Sequence, residues 1–190
     1  MPEQFTLRRK FFKLFGAAFH IYDTQDRVVA YCKQQAFKLR EDIRLYTSED
    51  RSEEFMRIAA QSILDFSTTY DVTAPDGRPI GSLRRKGMKS IIRDEWLVFG
   101  PSGNQIGLLR EDSGALALLR RLVDLASLIV PQRFELLDGQ ERTVATFRQH
   151  RNPFIYRLGI AMAPNRPPEF DERLILAAAS LIGAIEGRQE

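Results

Sequence analysis

The chain has 190 residues, 44% hydrophobic and 28% charged, with a formal net charge of +3, which is typical of a globular domain with a real core. The N-terminal segment lacks the apolar stretch of a secretory signal, and no apolar run reaches transmembrane length. The single cysteine, Cys32, excludes an intrachain disulfide and fits a reducing compartment. We therefore expect one cytoplasmic domain over residues 1–190 without a transmembrane segment.

A repeat organises the first half of the sequence. The segment Leu7–Lys13 recurs as Leu83–Lys89, and weaker copies begin at Cys32, Ile58 and Leu109. These starting positions are 25 or 26 residues apart, a regularity that indicates an internal structural unit.

Each unit contains two strand-forming runs separated by a polar turn, which is typical of an antiparallel meander. The first runs are Phe19–Tyr22, Ile43–Tyr46, Thr69–Val72 and Glu95–Phe99. The turns are Asp23–Asp26, Ser48–Asp50, Pro75–Gly77 and Gly100–Asn104. The second runs are Arg27–Cys32, Ile80–Leu83 and Ile106–Leu109. Glu53–Gln61 has a helix-favouring composition, and only its place in the repeat predicts a strand there.

The regular repeat spacing ends after Leu109. Ser113–Val130 has apolar residues on one helical side and polar residues on the other, which predicts an inserted amphipathic helix over residues 114–129. Three more strand-forming runs follow, at Phe134–Leu137, Thr143–Phe147 and within Phe154–Met162.

The last predicted element is an apolar helix over residues 170–187. Between Leu174 and Ile185 only Ser180 and Gly183 are not aliphatic, so this helix has no polar side for water and must be surrounded. Asp171 is a suitable N-cap and Gly187 a suitable C-terminal stop. The apolar part is about 18 Å long, too short for a bilayer of roughly 30 Å.

These elements predict a mainly β fold. About twelve antiparallel strands in an open sheet would leave two exposed edges, whereas closure removes both. The inward side chains of so wide a barrel do not fill its interior. The apolar helix, in turn, needs an apolar environment on all sides. We therefore predict a closed barrel over residues 5–163 around a central C-terminal helix.

Several weak motifs occur together along the chain: Leu7–Gly16 followed by Phe19–Asp23, the repeated Asp/Gly turns and Ile-Gly pairs, Leu83–Lys86, and the Ala-rich C-terminal helix. In these motifs the sequence resembles the bacterial branch of the Tubby C-terminal-like superfamily, which includes LURP-one-related proteins and phospholipid scramblases. The resemblance implies the same barrel with a threaded helix, and it implies binding of phosphoinositides through basic residues. The cysteine cluster and the calcium-spaced Asp-rich loop of scramblases are missing from this sequence.

Motifs for catalysis or metal binding are missing. His20 and His150 are the only histidines, and no nucleophile or acid group accompanies them in the sequence. Gly100–Gly103 lacks the nucleophile-elbow pattern, and there is no phosphate-binding glycine loop, zinc-ligand cluster or EF-hand spacing. We expect a non-enzymatic protein with no catalytic residue, no metal and no cofactor.

Positive charge is concentrated in two segments, residues 8–13 and 78–93, which contain no acidic residue. If they share one rim of the barrel, their basic residues and the neighbouring apolar ones would suit an anionic membrane surface. The candidate lipid- or anion-binding residues are Arg8, Arg9, Lys10, Lys13, Arg84, Arg85, Lys86, Lys89 and Arg93.

Three interpretations of these basic residues stay open. The first is binding of anionic phospholipid or phosphoinositide headgroups by a protein peripheral to the membrane. The second is a structural or protein-interaction domain whose basic residues are only solvated. The third is a scramblase-like or nucleic-acid-binding activity, and nucleic acid is disfavoured because the segments offer no aromatic stacking row and no groove-fitting helix.

Overall fold

The computed structural model describes residues 1–10, 17–34, 42–62, 68–86, 95–112, 131–150, 152 and 154–185. These residues form twelve strands and one helix, here called α1. The strands are β1 (Phe5–Lys10), β2 (Ala17–Asp23), β3 (Val28–Gln34), β4 (Asp42–Tyr46), β5 (Glu54–Ala60), β6 (Thr69–Thr73), β7 (Pro79–Arg85), β8 (Glu95–Phe99), β9 (Gln105–Glu111), β10 (Arg133–Asp138), β11 (Thr143–His150) and β12 (Ile155–Met162). The helix α1 is Glu172–Ile185.

The strands form a closed antiparallel barrel in chain order. Each strand pairs with the next one along the chain, and β1 pairs with β12 through partners such as Leu7 and Leu158. This closure leaves the sheet without a free edge, as the sequence predicts. The strand predicted within Glu53–Gln61 is confirmed as β5, so here the barrel's pairing overrides the local preference for helix.

Alternation along each strand separates the inside of the barrel from the outside. In β4, for example, Ile43 and Leu45 are fully buried, whereas Arg44 between them is exposed. The inward side chains form one apolar core with the residues of α1. The outward side chains are largely polar and define the surface on which a ligand can bind.

Four hairpins at one end of the barrel share one five-residue turn, at residues 23–27, 74–78, 100–104 and 138–142. In each, the first residue's N–H bonds the fifth residue's carbonyl oxygen. The fourth residue has a positive φ, and the preceding strand has a register shift. The positive φ and the register shift together indicate a β-bulge, which bends the strand. We call this end of the barrel the hairpin end.

The helix α1 begins at the hairpin end and runs through the barrel. Asp171 caps it, because its Oδ1 accepts a hydrogen bond of 2.8 Å from the backbone N–H of Arg173. Every residue from Leu174 to Ala184 with a described side chain is buried, which confirms the prediction of a surrounded central helix. The predicted stop at Gly187 and the predicted amphipathic helix 114–129 lie outside the described residues.

Two glycines on inward-facing strand positions make room for the entry of α1. A Cβ built on Gly81 would lie 3.0 Å from the side chain of Leu174, and one on Gly107 would lie 3.0 Å from the ring of Phe170. These are the glycines of the two Ile-Gly pairs in the repeat. Within the described part of the chain, no helix has the length and apolar character needed to cross a membrane.

Candidate anion-binding surface

Arg9, one of the predicted anion-binding residues, lies inside the barrel. Its side chain is only 8% exposed, and Nη1 donates a hydrogen bond of 2.8 Å to the carbonyl oxygen of Gly183. The guanidinium also lies 5.8 Å from the centre of the Tyr156 ring. A cation at the last turn of a helix satisfies a free carbonyl and the negative end of the helix dipole. Arg9 therefore holds α1 in place.

The basic residues of the second segment have different surroundings. Arg84 is exposed and lies 4.9 Å from the centre of the Phe99 ring, and the Nζ of Lys86 bonds Glu95 at 2.8 Å. Arg85 lies 5.9 Å from the centre of the buried Trp96 ring. Lys10 ends β1, whereas Lys13, Lys89 and Arg93 lie outside the described residues.

The strand order separates the two predicted basic segments. Arg8 is on β1 and Arg84 is on β7, which lie six strands apart in a barrel of twelve. Strands at that separation are on opposite sides of the barrel. The structure therefore does not bring Arg8 and Arg84 together on one surface.

A different set of basic residues does come together, on the outside of β1, β12, β11 and β10. Arg8 is the direct cross-strand partner of Arg157, and Arg148 is the direct partner of Arg133. Arg157 also faces His150, which lies two residues from Arg148 on the same strand. We call the four arginines Arg8, Arg133, Arg148 and Arg157 the arginine face.

Few acidic groups neutralise the arginine face. Arg8 pairs with Asp26, and Arg133 lies 3.7 Å from a carboxylate oxygen of Asp112. Neither Arg148 nor Arg157 makes an ion pair or a side-chain hydrogen bond with any residue that the structure describes. Like charges directly opposite each other on paired strands repel. Arg148 and Arg157 therefore carry positive charge that no described residue neutralises through an ion pair.

Both histidines lie beside this face and are bound to glutamates. The Nε2 of His20, the cross-strand partner of Arg8, lies 2.8 Å from Oε1 of Glu49. The Nε2 of His150 lies 2.8 Å from Oε1 of Glu3. These contacts give each histidine a partner from a distant part of the chain.

Glu3 belongs to an N-terminal segment that crosses the outside of β12. The side chain of Gln4 bonds both the N–H and the carbonyl oxygen of Met162, so it continues the pairing of β1 beyond the end of the strand. The carboxylate of Glu3 lies directly on Gly159, where an added Cβ would overlap it. This contact explains why glycine stands in the middle of β12.

Within the described ranges, the structure offers neither a reactive thiol nor a cluster of metal ligands. Cys32 is completely buried, and burial raises the pKa of its thiol to about 12, so it does not supply a thiolate. His, Cys, Asp and Glu residues of this part of the chain form no group of three that could hold a metal ion.

Three of the four arginines of the face were not predicted from the sequence. Each stands alone among uncharged or mixed neighbours, whereas Leu7–Lys10 and Leu83–Lys86 are conspicuous basic runs. The signal that could have found them is alternation combined with register. Arg148 and Arg157 each directly follow an inward aromatic residue, Phe147 and Tyr156, and so must point outward on neighbouring strands.

Comparison with protein-family models, curated proteins and solved structures finds no match to this chain.

Proposed function

We propose that this protein is a non-enzymatic module that binds an anionic phospholipid surface through the arginine face. The observation that carries the proposal is the pair Arg148 and Arg157, which lie on adjacent strands beside two further arginines without a carboxylate partner in the described residues. Lipid phosphates would supply the missing negative charge. Each basic residue near an anionic membrane contributes about 1 kcal/mol.

Exposed apolar side chains favour a membrane over a soluble anion. Phe154 is 69% exposed and directly precedes β12, the strand of Arg157. Met1 is 54% exposed and lies against the same side of the barrel, close to Arg148. A surface that combines cations with a few exposed apolar groups suits shallow insertion at a lipid interface. The protein would then be cytoplasmic and peripheral to the membrane.

The proposal includes phosphoinositides, which the resemblance to the Tubby C-terminal-like superfamily implies, and membership of that superfamily is part of it. It moves the binding residues from the predicted rim to the outside of β1 and β10–β12. Arg8 is the one residue that the two sets share. Arg84 and Lys86 lie on the opposite side of the barrel, so substituting them tests the rim that the sequence predicts.

Co-sedimentation with vesicles tests both locations. Vesicles of phosphatidylcholine with a quarter phosphatidylglycerol are mixed with the wild type, Arg148→Glu/Arg157→Glu and Arg84→Glu/Lys86→Glu. We expect the first variant to bind roughly ten-fold or more weakly and the second to bind like the wild type. Lys33→Glu/Arg44→Glu is a control with the same charge change on β3 and β4, where both residues are exposed.

Equal binding by all four proteins would overturn the arginine face as the site. A loss in Arg84→Glu/Lys86→Glu alone would return the site to the predicted rim. If the wild type does not bind vesicles at low salt, the lipid proposal fails and the structural or protein-interaction interpretation replaces it.

A further inference from the structure

A cavity of about 270 Å³ lies on the outside of β10, β11 and β12, within the arginine face. Arg133 and Arg148 line one end of it and are direct cross-strand partners. Glu135 and Thr146 line the other end and are also direct partners. The two pairs are two residues apart along the strands, a separation of about 7 Å.

The cavity exists because the neighbouring strand has no bulky side chains there. Gly159 is the cross-strand partner of Arg148, and Ala161 is the partner of Thr146. Both are buried although they face outward, because the N-terminal segment with Glu3 passes over Gly159. Small residues thus form the floor of the cavity, and Glu3 forms part of its wall.

Three polar side chains in the cavity have unused hydrogen-bonding capacity. Arg148, Glu135 and Thr146 make no side-chain hydrogen bond or ion pair within the described chain. A positive end and a negative end therefore face one space, each able to bind a group of opposite charge. Glu135 and Thr146 are half-buried and Arg148 is exposed, and a ligand that pairs with all three would satisfy each of them.

We propose that this cavity binds the headgroup of an aminophospholipid, which joins a phosphodiester to a primary ammonium; this inference rests on the proposed lipid binding. Arg133 and Arg148 bind the phosphodiester oxygens at one end of the cavity. Glu135 accepts hydrogen bonds from the ammonium. The carboxylate of Glu3 lies on Gly159, at the arginine end of the cavity, where it is bound to His150.

Glu135 makes the cavity unsuitable for a headgroup that carries only negative charge. A polyphosphorylated inositol ring in this cavity would place phosphates near Glu135, which costs free energy through repulsion. The phosphoinositides of the proposed function would therefore contact Arg8 and Arg157, which lie outside the cavity. A glycerol headgroup has no cation for Glu135. Among anionic lipids of equal charge, one with an ammonium group is therefore preferred.

The test compares two sets of vesicles of equal net charge, both phosphatidylcholine with a quarter of either phosphatidylserine or phosphatidylglycerol. We expect the wild type to bind the serine lipid about two- to five-fold more tightly, as one ammonium–carboxylate contact near the surface supplies. Glu135→Gln removes the preference, because its amide does not attract the ammonium and no longer repels phosphatidylglycerol. Glu54→Gln makes the same charge change on β5 and keeps the preference.

A soluble competitor identifies the recognised group. Glycerophosphoserine should displace the wild type from phosphatidylserine vesicles more effectively than glycerophosphoglycerol does, and equal displacement by the two overturns the inference. A wild type that binds both vesicles equally, or a Glu135→Gln variant that keeps the preference, also overturns it while lipid binding stands. Failure of the wild type to bind either vesicle overturns the proposed function as well.

Discussion

The Nη1 atom of Arg9 donates a hydrogen bond of 2.8 Å to the carbonyl oxygen of Gly183, which joins the first strand of the barrel to the last turn of its central helix. The two residues are 174 positions apart in the chain. A charged donor thus lies within a largely apolar interior. Its acceptor is one of the backbone carbonyl oxygens that the end of a helix leaves free.

Replacing Arg9 with leucine should destabilise the protein without reducing vesicle binding. The change removes a buried charged hydrogen bond, and the expected loss in the free energy of unfolding is about 2–3 kcal/mol. Urea denaturation measures it. Arg84→Leu is the control, because Arg84 is exposed and should contribute less than about 1 kcal/mol. Normal stability with lost vesicle binding would show that Arg9 serves a ligand.

Arg157→Gln should have the opposite effect on stability. It removes one of two like charges that face each other across β1 and β12, so the free energy of unfolding should rise by about 0.2–1 kcal/mol. Affinity for anionic vesicles should fall at the same time. A stability gain at the expense of binding is typical of a functional residue. A destabilised variant would contradict this, since Arg157 would then serve the fold.

The glycines at the entry of α1 should not tolerate a methyl group. In Gly81→Ala the new Cβ would lie 2.5 Å from the carbonyl oxygen of Phe99, as well as against Leu174. Backbone cannot move aside in a closed barrel without disturbing its pairing, so we expect a loss of about 1–3 kcal/mol. Gly139→Ala, where nothing lies within 4 Å of the added atom, should be nearly neutral. Equal thermal unfolding of the two variants would contradict the close approach.

Ala178→Asp should prevent stable folding. Ala178 is 1% exposed in the middle of α1, and a carboxylate there would be buried among aliphatic side chains with no partner. Gln105→Asp adds the same charge at an exposed position of β9 and should leave folding intact. Circular dichroism and soluble yield compare them. A soluble Ala178→Asp protein with normal melting would show that α1 does not fill the barrel.

The turn aspartates should make the hairpin end sensitive to acid. The backbone N–H of Arg142 holds the pKa of Asp138 below its ordinary value, against the opposing effect of burial. Because the folded-state pKa is lowered, the stabilisation is complete above the unfolded value of about 3.9 and is lost as the pH falls through the folded value.

Asp138→Asn should therefore be less stable than the wild type at neutral pH and should approach it under strong acid. Urea denaturation at both conditions measures the difference. Glu169→Gln, at an exposed position without a described partner, should show no such convergence. A difference between wild type and Asp138→Asn that stays constant with pH would mean that the charge of Asp138 is not what stabilises the turn.

Most of the fold follows from local sequence, because periodicity and turn residues act over a few positions. The strands around Phe19–Tyr22 and Glu95–Phe99 and the helix after Asp171 are confirmed. Closure followed from the absence of any polar side on α1. The repeat also identified β5, where composition alone favours a helix.

The site could not be predicted in the same way, because it depends on register across distant strands. Arg8 and Arg157 are far apart in sequence, and only the closing pair of the barrel brings them together. Alternation places Arg9 on the same side of β1 as Leu7. The sequence does not show what satisfies a guanidinium there, because the carbonyl that accepts its hydrogen bond belongs to a helix at the other end of the chain.

The position of α1 after all twelve strands has a consequence for synthesis. The strands leave the ribosome before the segment that fills their interior, so the nascent sheet exposes its apolar side until residues 172–185 emerge. The pairing of β1 with β12 adds contacts between residues more than 140 positions apart, such as the partners Phe5 and Ile160. High contact order of this kind slows folding. We therefore expect completion of the barrel to be a late folding step that cannot occur before α1 has emerged.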